Sequence, residues 1–593
     1  MSSSKFRLMY VFNILVFSVC YASVAVAGDR PNIVLLLADD LGFSDLGSYG
    51  SQIDTPNIDQ LASVGIRFSN YHTAASCAPT RSMLMTGVDS HRNGVANMPE
   101  SLPSEQLGQP GYEGTLNKNV VTIATLLRDS GYHTYMAGKW HLGKSADLLP
   151  SGRGFERSFT MADTGADNWE QKPYLPIYSQ ANWFEDGIET TLPEDFYSSK
   201  NLVDKTIEYI GGNLADKKPF FAYVAFLAVH LPVQAPREYT QKYLGEFDQG
   251  WNELRKQRYE GAVKSGVLRD GIEMAEIPTT LDWASLTVEE KRYQSKRMAV
   301  YAGMVDAMDF HLGRLLTYLK KVDQYDNTVF IFLSDNGAEP SDPIQSLAFK
   351  LWMKISDYNS DYETLGEKGS YSSIGPSFAS ASTAPFAWYK FFAGEGGLRV
   401  PLIVSGLSSP LNGEVADAFS WVTDIVPTIL DVAQVGIPEG RYNEKTVEPI
   451  VGRSLLPLIE GRVEQVYGDD EQIGYELGGN AALFKGDYKV LINRGPIGDG
   501  EWHLFNLKND PGETLDLKNE LPHVFEELMT NYGEYVVSNG VLPVPDGYDQ
   551  RNQIAIYGIK KRIGSSYYTF ISVFFLLVLA WVIWRRRYKA QRH

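Results

Sequence analysis

The residues best suited to chemistry lie in the segment Cys77-Ala-Pro-Thr-Arg81. Pro79 favours the first turn of a helix, which places Cys77 at a helix N-terminus, where free N–H groups and the helix dipole attract an anion. Arg81 follows four residues later and is predicted on the same helix face. This helix start would therefore offer a nucleophile, an anion site and a fixed cation. The alternative is a structural cysteine buried in the core.

The cysteine content also points to Cys77. The chain has two cysteines, Cys20 and Cys77. A basic start, an apolar run over residues 8–24 and the sequence Ala25-Val26-Ala27 predict a signal peptide, residues 1–27, that is cleaved after export; an uncleaved anchor is the alternative. Cleavage would remove Cys20. A lone cysteine in an exported chain forms no internal disulfide and suggests a chemical role.

The charge of the chain limits its partners. Its 593 residues carry a formal net charge of −18. An acidic body of this kind excludes nucleic-acid binding as the main function. It also repels anionic substrates at long range, so an anion site in this chain must be locally cationic.

Polar residues follow four apolar runs. The runs and the residues that follow them are 32–38 with Asp39 and Asp40, 132–138 with Lys139 and His141, 220–229 with His230, and 328–334 with Asp335 and Asn336. Continuous apolar runs are typical of parallel strands buried on both faces. Helical patterns between them, such as 121–130 and 298–320, predict an α/β fold with a large central, mostly parallel sheet sandwiched by helices. Ligands bind at the carboxyl ends of such strands, so one site can collect all four clusters.

The chain resembles the type I sulfatase family of the alkaline-phosphatase-like superfamily. The motifs that carry the resemblance, in order, are Pro31-Asn-Ile-Val, Asp39-Asp40, Thr55-Pro-Asn-Ile-Asp59, Cys77-Ala-Pro-Thr-Arg81, Gly138-Lys-Trp-His-Leu-Gly143, His230-Leu-Pro232, Ser334-Asp-Asn-Gly337 and Lys390 with Glu395-Gly-Gly-Leu-Arg-Val-Pro401. Further motifs look like the bacterial arylsulfatase branch: Arg153-Gly-Phe-Glu-Arg, Phe196-Tyr-Ser-Ser, Gln234-Ala-Pro-Arg-Glu and Asp510-Pro-Gly-Glu. The resemblance implies the alkaline-phosphatase-like fold and the hydrolysis of sulfate esters.

The resemblance also implies a cofactor chemistry. A maturase would convert Cys77 to formylglycine, whose hydrated aldehyde attacks sulfur and forms a sulfated enzyme. The implied metal ligands are Asp39, Asp40, Cys77, Asp335 and Asn336. Carboxylate and amide oxygens suit a hard cation, and Ca²⁺ is expected.

The remaining site residues take their roles from the same resemblance. Lys139 and Lys390 would hold sulfate oxygens, and Arg81 would orient the nucleophile. His141 would deprotonate the second hydroxyl, and His230 would protonate the leaving oxygen. Taken singly, each histidine is more often structural than catalytic, and Lys390 alone would be read as a surface lysine.

The predicted organisation includes elements beyond the catalytic part. Its divisions are the catalytic domain 28–460, a smaller α+β domain 461–545, a linker 546–566, a transmembrane helix 567–584 and a cytoplasmic tail 585–593. The membrane span is predicted from an apolar run of bilayer length with aromatic ends, which three arginines follow. Together with the signal peptide, it predicts an exported enzyme whose catalytic domain is anchored outside the cell membrane.

The expected substrates are aryl sulfates. The aromatic residues of the insertions above the strand ends include Trp169, Tyr174, Tyr178, Trp183, Phe184, Trp352, Tyr371, Phe386, Trp388 and Tyr389. They carry no basic cluster that would attract a polyanionic glycan. Alternatives are a carbohydrate sulfatase, a phosphonate or phosphodiester hydrolase of the same superfamily, and a sulfated-glycan binding protein with unmodified Cys77.

Overall fold

A ten-stranded sheet runs through the centre of the molecule. The structure is a computed structural model that describes residues 30–561. The strands are β1 (Asn32–Ala38), β2 (Ile66–Phe68), β3 (Tyr71–His72), β4 (His133–Lys139), β5 (Arg157–Met161), β6 (Trp183–Glu185), β7 (Ile188–Glu189), β8 (Phe220–Ala225), β9 (Thr328–Ser334), β10 (Leu402–Ser405), β11 (Val415–Ala416), β12 (Ser420–Trp421), β13 (Arg441–Tyr442), β14 (Lys445–Thr446), β15 (Gln472–Leu477), β16 (Asn480–Lys485), β17 (Tyr488–Ile492) and β18 (Trp502–Asn506). The order in the large sheet is β11-β2-β10-β9-β1-β8-β4-β5-β6-β7.

Helices pack against this sheet, as α1 does on β10 and α5 does on β4. They are α1 (Pro56–Val64), α2 (Cys77–Thr86), α3 (Ser90–Asn93), α4 (Ile123–Asp129), α5 (Ser198–Asn213), α6 (Arg237–Lys242), α7 (Trp251–Lys264), α8 (Val288–Lys321), α9 (Leu347–Ile355), α10 (Gly375–Ser382), α11 (Glu395–Leu398), α12 (Ile425–Val432), α13 (Leu456–Ile459), α14 (Pro522–Asn539) and α15, residues 550–561.

The middle of the large sheet is parallel, as predicted. Strands β9, β1, β8, β4 and β5 are neighbours in this order, and each pair is parallel. Every residue of β1 and β9 is buried, which explains why their sequences are apolar without alternation. Antiparallel pairs occur towards the edges, at β10 and at β6 and β7. The predicted α/β class with a mostly parallel sheet is therefore confirmed.

Two elements differ from their predicted lengths. Strand β8 ends at Ala225, although the apolar run continues to Val229; those last residues form a buried loop in which the Val229 N–H donates to Asp39. Helix α8 begins ten residues before the predicted Met298, because Thr287 and Glu290 form a capping box. An apolar pattern does not distinguish a buried strand from a buried loop, and it does not detect the polar first turns of a helix.

The predicted transmembrane helix must be removed from the fold. Among residues 30–561, no helix is both long and apolar enough to cross a bilayer. The predicted signal peptide, residues 1–27, and the predicted span, residues 567–584, lie outside the described residues. The apolar run, its aromatic ends and the arginines after it were the basis for that helix, and the described residues give it no support.

A second sheet packs beside the first. Strands β15 to β18 form a four-stranded antiparallel sheet, and α14 packs on it. Lys489 in β17 bonds Glu395 at 2.9 Å and Glu513 at 2.7 Å, and Glu395 bonds His72 at 2.9 Å. These side chains are buried. The second sheet thereby fixes the start of α11 and the segment that leads into it. The domain boundaries of the sequence analysis stay a prediction.

The last described element also packs on the body. In the segment predicted as a linker, Tyr548 donates its hydroxyl to the Ser101 carbonyl at 2.8 Å, and Gln553 of α15 donates to Leu102 at 3.0 Å. Tyr557 and Ile554 of α15 pack against the apolar cluster that contains Tyr174 and Tyr178. This part of the chain therefore belongs to the wall of the molecule near residues 97–102.

A buried histidine joins helix α3 to the second sheet and predicts pH-dependent stability. The Nε2 atom of His91 lies 2.9 Å from Glu476 of β15, and its Nδ1 atom lies 3.2 Å from Asp89. Burial lowers the pKa of His91, but these two bonds outweigh burial and raise its pKa to about 9. Two carboxylate partners require both ring nitrogens to donate, so the ring is protonated in the fold.

We expect His91→Asn to destabilise the protein most at low pH. The folded pKa lies above the unfolded value of about 6.5. The proton therefore contributes fully below that value, on the order of 3 kcal/mol, and the contribution is lost as the pH rises through about 9. Urea unfolding at about pH 6 and pH 10 measures it. His523→Asn, at an exposed position of α14, is the control. A pH-independent difference would contradict the prediction.

Candidate active site

The four predicted clusters meet at one edge of the sheet. Asp39 and Asp40 follow β1, Asp335 and Asn336 follow β9, and Lys139 ends β4. Since β9, β1, β8 and β4 are adjacent and parallel, their carboxyl ends lie side by side. His230, after the loop that follows β8, is 3.6 Å from Asp40. The structure thus brings these predicted residues together.

Helix α2 brings Cys77 and Arg81 to the same edge. It begins at Cys77, with Pro79 in its first turn, and every one of its residues is buried. The Cys77 Sγ atom lies 3.5 Å from Asp39 Oδ1 and 3.6 Å from Asp40 Oδ1. The predicted helix start is present, and it faces the carboxylates.

Buried ion pairs connect the site residues. Arg81 bonds Asp335 through Nε at 2.8 Å, and another of its nitrogens lies 3.2 Å from Asp39. Lys139 Nζ lies 2.8 and 2.7 Å from the two oxygens of Asp39. Lys390 Nζ lies 2.8 and 2.9 Å from the two oxygens of Asp40. Each carboxylate therefore has a cationic partner, as buried charges require.

Burial and crowding shift the pKa values of these groups. Burial raises the pKa of Asp39 to about 7. The neighbouring carboxylates also raise this pKa, whereas Lys139 and Arg81 lower it. For Asp335, burial is outweighed by Arg81 and Lys139, which hold its pKa below the usual range. Burial also raises the pKa of the Cys77 thiol well above its ordinary value. The carboxylate oxygens are thus closely packed, a condition that a cation would relieve.

One independent observation indicates that the described site fits a divalent cation. The Asn336 amide donates to Asp40 at 2.7 Å and to the Gly337 carbonyl at 2.9 Å, which orients its oxygen away from them. That oxygen, Oδ1, is buried and has no hydrogen-bond partner among the described residues. Ligand atoms of Asp39, Asp40, Cys77 and Asp335 lie within 4.8 Å of one another. An orphaned acceptor beside clustered carboxylates is the donor set that a hard cation binds.

The two histidines are held differently. His230 Nδ1 donates to the Leu231 carbonyl at 2.6 Å, which leaves Nε2, on the Asp40 side, without a proton in the neutral ring. Burial, then Lys139 and Lys390, hold the pKa of His230 well below its ordinary value. His141 has a left-handed backbone, with φ 59°. Strand β4 ends at Lys139, so the alternation of side chains along an extended strand does not continue to His141. It therefore does not place the His141 side chain on the same face as that of Lys139.

Sequence reasoning missed two acidic residues beside this site. Glu339 lies 2.8 Å from Lys390, and Glu100 lies 3.4 Å from His141. Both are buried. Glu339 follows Ser334-Asp-Asn-Gly337 by two residues, and an acidic group so close to a strand end could have been singled out. Glu100 lies in an irregular segment and had no sequence signal.

Comparison with known proteins defines the family. The family model named Sulfatase matches residues 31–435. An uncharacterized sulfatase of Schizosaccharomyces pombe is 37% identical over 540 residues, which cover 88% of this chain and 96% of that protein. An arylsulfatase of Klebsiella aerogenes is 34% identical over 437 residues, covering 73% of this chain and 93% of that protein. The chain belongs to the sulfatase family. Its enzyme class is sulfuric ester hydrolase.

The fold has solved counterparts. The crystal structure of Ps i-CgsB in complex with k-i-k-neocarrahexaose aligns with a TM-score of 0.61, covering 90% of this chain and 98% of that chain. The two sequences are 23% identical, so this likeness concerns the fold.

We expect calcium to stabilise the protein through Asn336. A cation that binds only the folded state raises the melting temperature, so calcium added after chelation should raise Tm in the wild type. Asn336→Ala removes one neutral oxygen ligand and should shrink this increment, because the remaining donors bind the ion less tightly. Differential scanning calorimetry with and without calcium measures it.

The matched control is Asn93→Ala. Asn93 is also a buried asparagine, and it donates to Ser82. This variant should lower Tm and leave the calcium-dependent increment intact. An increment of equal size in Asn336→Ala and wild type would show that Asn336 does not bind the ion.

Proposed function

We propose that this sulfatase hydrolyses aryl sulfates, using formylglycine derived from Cys77 and a bound calcium ion. The observation that carries the proposal is the position of Cys77 at the start of α2, 3.5 Å from Asp39 and beside the oxygen donors. When formed there, formylglycine supplies a hydrated aldehyde whose hydroxyl can attack sulfur. Asp39, Asp40, Asp335 and Asn336 would hold the calcium ion, which would supply positive charge to the sulfate oxygens.

The cations of this chain bind and orient the sulfate group. The side chain of Lys139 ends at Asp39, and that of Lys390 ends at the adjacent Asp40. Their ammonium groups can therefore hold sulfate oxygens on two sides and stabilise negative charge as the ester bond breaks. Arg81 has a supporting role, since it donates hydrogen bonds to Asp335 and to the Lys139 carbonyl. It fixes the strand end that carries Lys139.

His230 is suited to protonate the leaving oxygen. Its Nδ1–H is held by the Leu231 carbonyl, so any further proton is carried on Nε2. The low pKa of the free ring reflects burial and the two nearby lysines. A bound sulfate ester adds negative charge beside the ring and favours the protonated form. The proton on Nε2 can then pass to the alkoxide or phenolate oxygen.

An aromatic wall beside His230 favours flat leaving groups. The Tyr174 ring meets the His230 ring edge to face at 5.2 Å. Tyr174 and Tyr178 belong to an apolar cluster with Trp352 and Tyr371. Such a wall suits an aromatic ring, and the Klebsiella aerogenes relative is an arylsulfatase by name. Four of the predicted aromatic residues, Trp183, Tyr371, Phe386 and Tyr389, have no exposed surface, whereas Tyr174 and Tyr178 keep a small exposed fraction.

We expect active protein to carry the Cys77 modification. Cys77→Ala should lower the turnover of 4-nitrophenyl sulfate by about 10³-fold or more, because no nucleophile remains. Peptide mass analysis should show wild-type Cys77 in a lighter form, with oxygen in place of sulfur and two hydrogens fewer, as the aldehyde requires. Met85→Leu, a volume-conserving change in the same buried helix, should stay active.

Two outcomes would contradict this assignment. An active wild type whose peptide holds only the free thiol would refute the formylglycine chemistry. A phosphate diester hydrolysed faster than any sulfate ester by the same preparation would favour the phosphodiesterase alternative.

The aryl preference predicts a graded effect at Tyr174. Tyr174→Ala should lower kcat/KM for 4-nitrophenyl sulfate about tenfold, since the aryl ring of the substrate loses its stacking partner. Tyr174→Phe should keep most of the wild-type kcat/KM. The same assay compares aryl sulfate with sulfated mono- and oligosaccharides. A carbohydrate preferred by tenfold, about 1.4 kcal/mol in the barrier, would overturn the aryl preference and leave the sulfatase assignment intact.

A further inference from the structure

A buried carboxylate that no motif identifies touches one of the two site histidines. The Oε2 atom of Glu100 lies 3.4 Å from Nε2 of His141. The other oxygen of Glu100 accepts a short hydrogen bond from the Tyr178 hydroxyl. All three side chains are buried, and they come from three separate segments of the chain. They form a continuous line of contacts from the aromatic wall to His141.

The contact with Glu100 decides which nitrogen of His141 carries the proton. Burial alone would raise the pKa of Glu100, but the bonds from His141 and Tyr178 lower it to about 2. An ionised carboxylate only accepts hydrogen bonds, so Nε2 of His141 must be the donor. In the neutral ring, Nδ1 then carries the lone pair.

The free nitrogen of His141 has the character of a base. Nδ1 is buried and has no hydrogen-bond partner among residues 30–561. A buried acceptor left without a partner is costly, so a donor is expected there when substrate is bound. The charged groups that face the ring are Glu100, Lys139 and Arg81, and burial together with the two cations lowers the pKa of His141. The ring is therefore neutral and can accept a proton.

We propose that Glu100 is a positioning residue for His141: it holds the tautomer in which Nδ1 accepts a proton during sulfate release, and Tyr178 holds Glu100 in place. This inference rests on the proposed function, in which His141 acts after the alcohol has left. In that step Nδ1 would take the proton of the second hydroxyl, whose oxygen would become the carbonyl oxygen of the aldehyde as the bond from the same carbon to the sulfate-bearing oxygen breaks and sulfate leaves. The imidazolium would then carry N–H on both nitrogens beside the Glu100 carboxylate and pass the proton to water. The carboxylate stabilises the positive ring.

Glu100→Gln is the decisive variant. A glutamine keeps the size of the side chain and can still accept from Tyr178, but its amide can donate to Nε2 and favour the other tautomer. We expect kcat for 4-nitrophenyl sulfate to fall about 100-fold. We expect kcat/KM to change little, because Glu100 acts after the first product has left. Stopped-flow assays should then show a burst of nitrophenol equal to the enzyme concentration, followed by slow turnover.

A pH profile separates positioning from a purely structural role. Removal of the negative charge lowers the pKa of His141, so the acidic limb of the kcat profile should move to lower pH. Tyr178→Phe, which removes one hydroxyl, should give a smaller decrease in the same direction and serves as the second variant if Glu100→Gln does not fold. Glu105→Gln, an exposed glutamate five residues along, should behave as wild type.

The outcomes are distinguishable from failure of the proposed function. A wild type without turnover of any sulfate ester would refute the function itself. An active wild type, with folded Glu100→Gln and Tyr178→Phe that keep kcat within threefold of it and show neither the burst nor the shifted limb, would refute the role of Glu100. Reduced kcat with burst and shift in Glu100→Gln would support it.

Discussion

The site depends on the pairing of opposite charges in the interior of the molecule. Three carboxylates face three cations, and all six side chains are almost fully buried; they are Asp39, Asp40, Asp335, Arg81, Lys139 and Lys390. Removing one partner of a buried pair costs about 3–5 kcal/mol, so these residues fix one another. Glu339 adds a fourth carboxylate beside Lys390, and a bound divalent ion would make the centre positive. The acidic chain can thereby bind an anion that its overall charge repels.

The two sheets divide the work of holding these charges. The large sheet fixes Asp39, Asp335 and Lys139 directly, because their strands are hydrogen-bonded neighbours. Lys390 has no strand of its own. Its segment leads to Glu395, which is fixed by Lys489 of the second sheet. The second sheet therefore helps to position Lys390, although none of these charged site residues lies in that sheet.

The residues at strand ends could be predicted because strand register and chemistry coincide there. A buried parallel strand has a plain apolar pattern, and Asp39 or Asp335 directly after it has a predictable position. Glu100 and Tyr178 could not be predicted, since they meet His141 only through tertiary contacts between irregular segments. The turn at His141 was also hidden, because a left-handed backbone at a non-glycine residue leaves no trace in the sequence pattern. The predicted membrane helix lies outside residues 30–561, among which no helix is long and apolar enough to cross a bilayer.

Helix α15 gives the wall of the site an unusual dependence on the order of synthesis. The Nζ atom of its Lys561 lies 5.2 Å from the centre of the Tyr178 ring. Lys144, from an earlier part of the chain, also lies over this ring, at 4.7 Å. The contacts of Tyr548 and Gln553 join positions about 450 residues apart. Contacts of such sequence separation form late and slow folding. While the chain emerges from the ribosome, this side of the wall stays open until about 450 further residues have been added after residues 101–102.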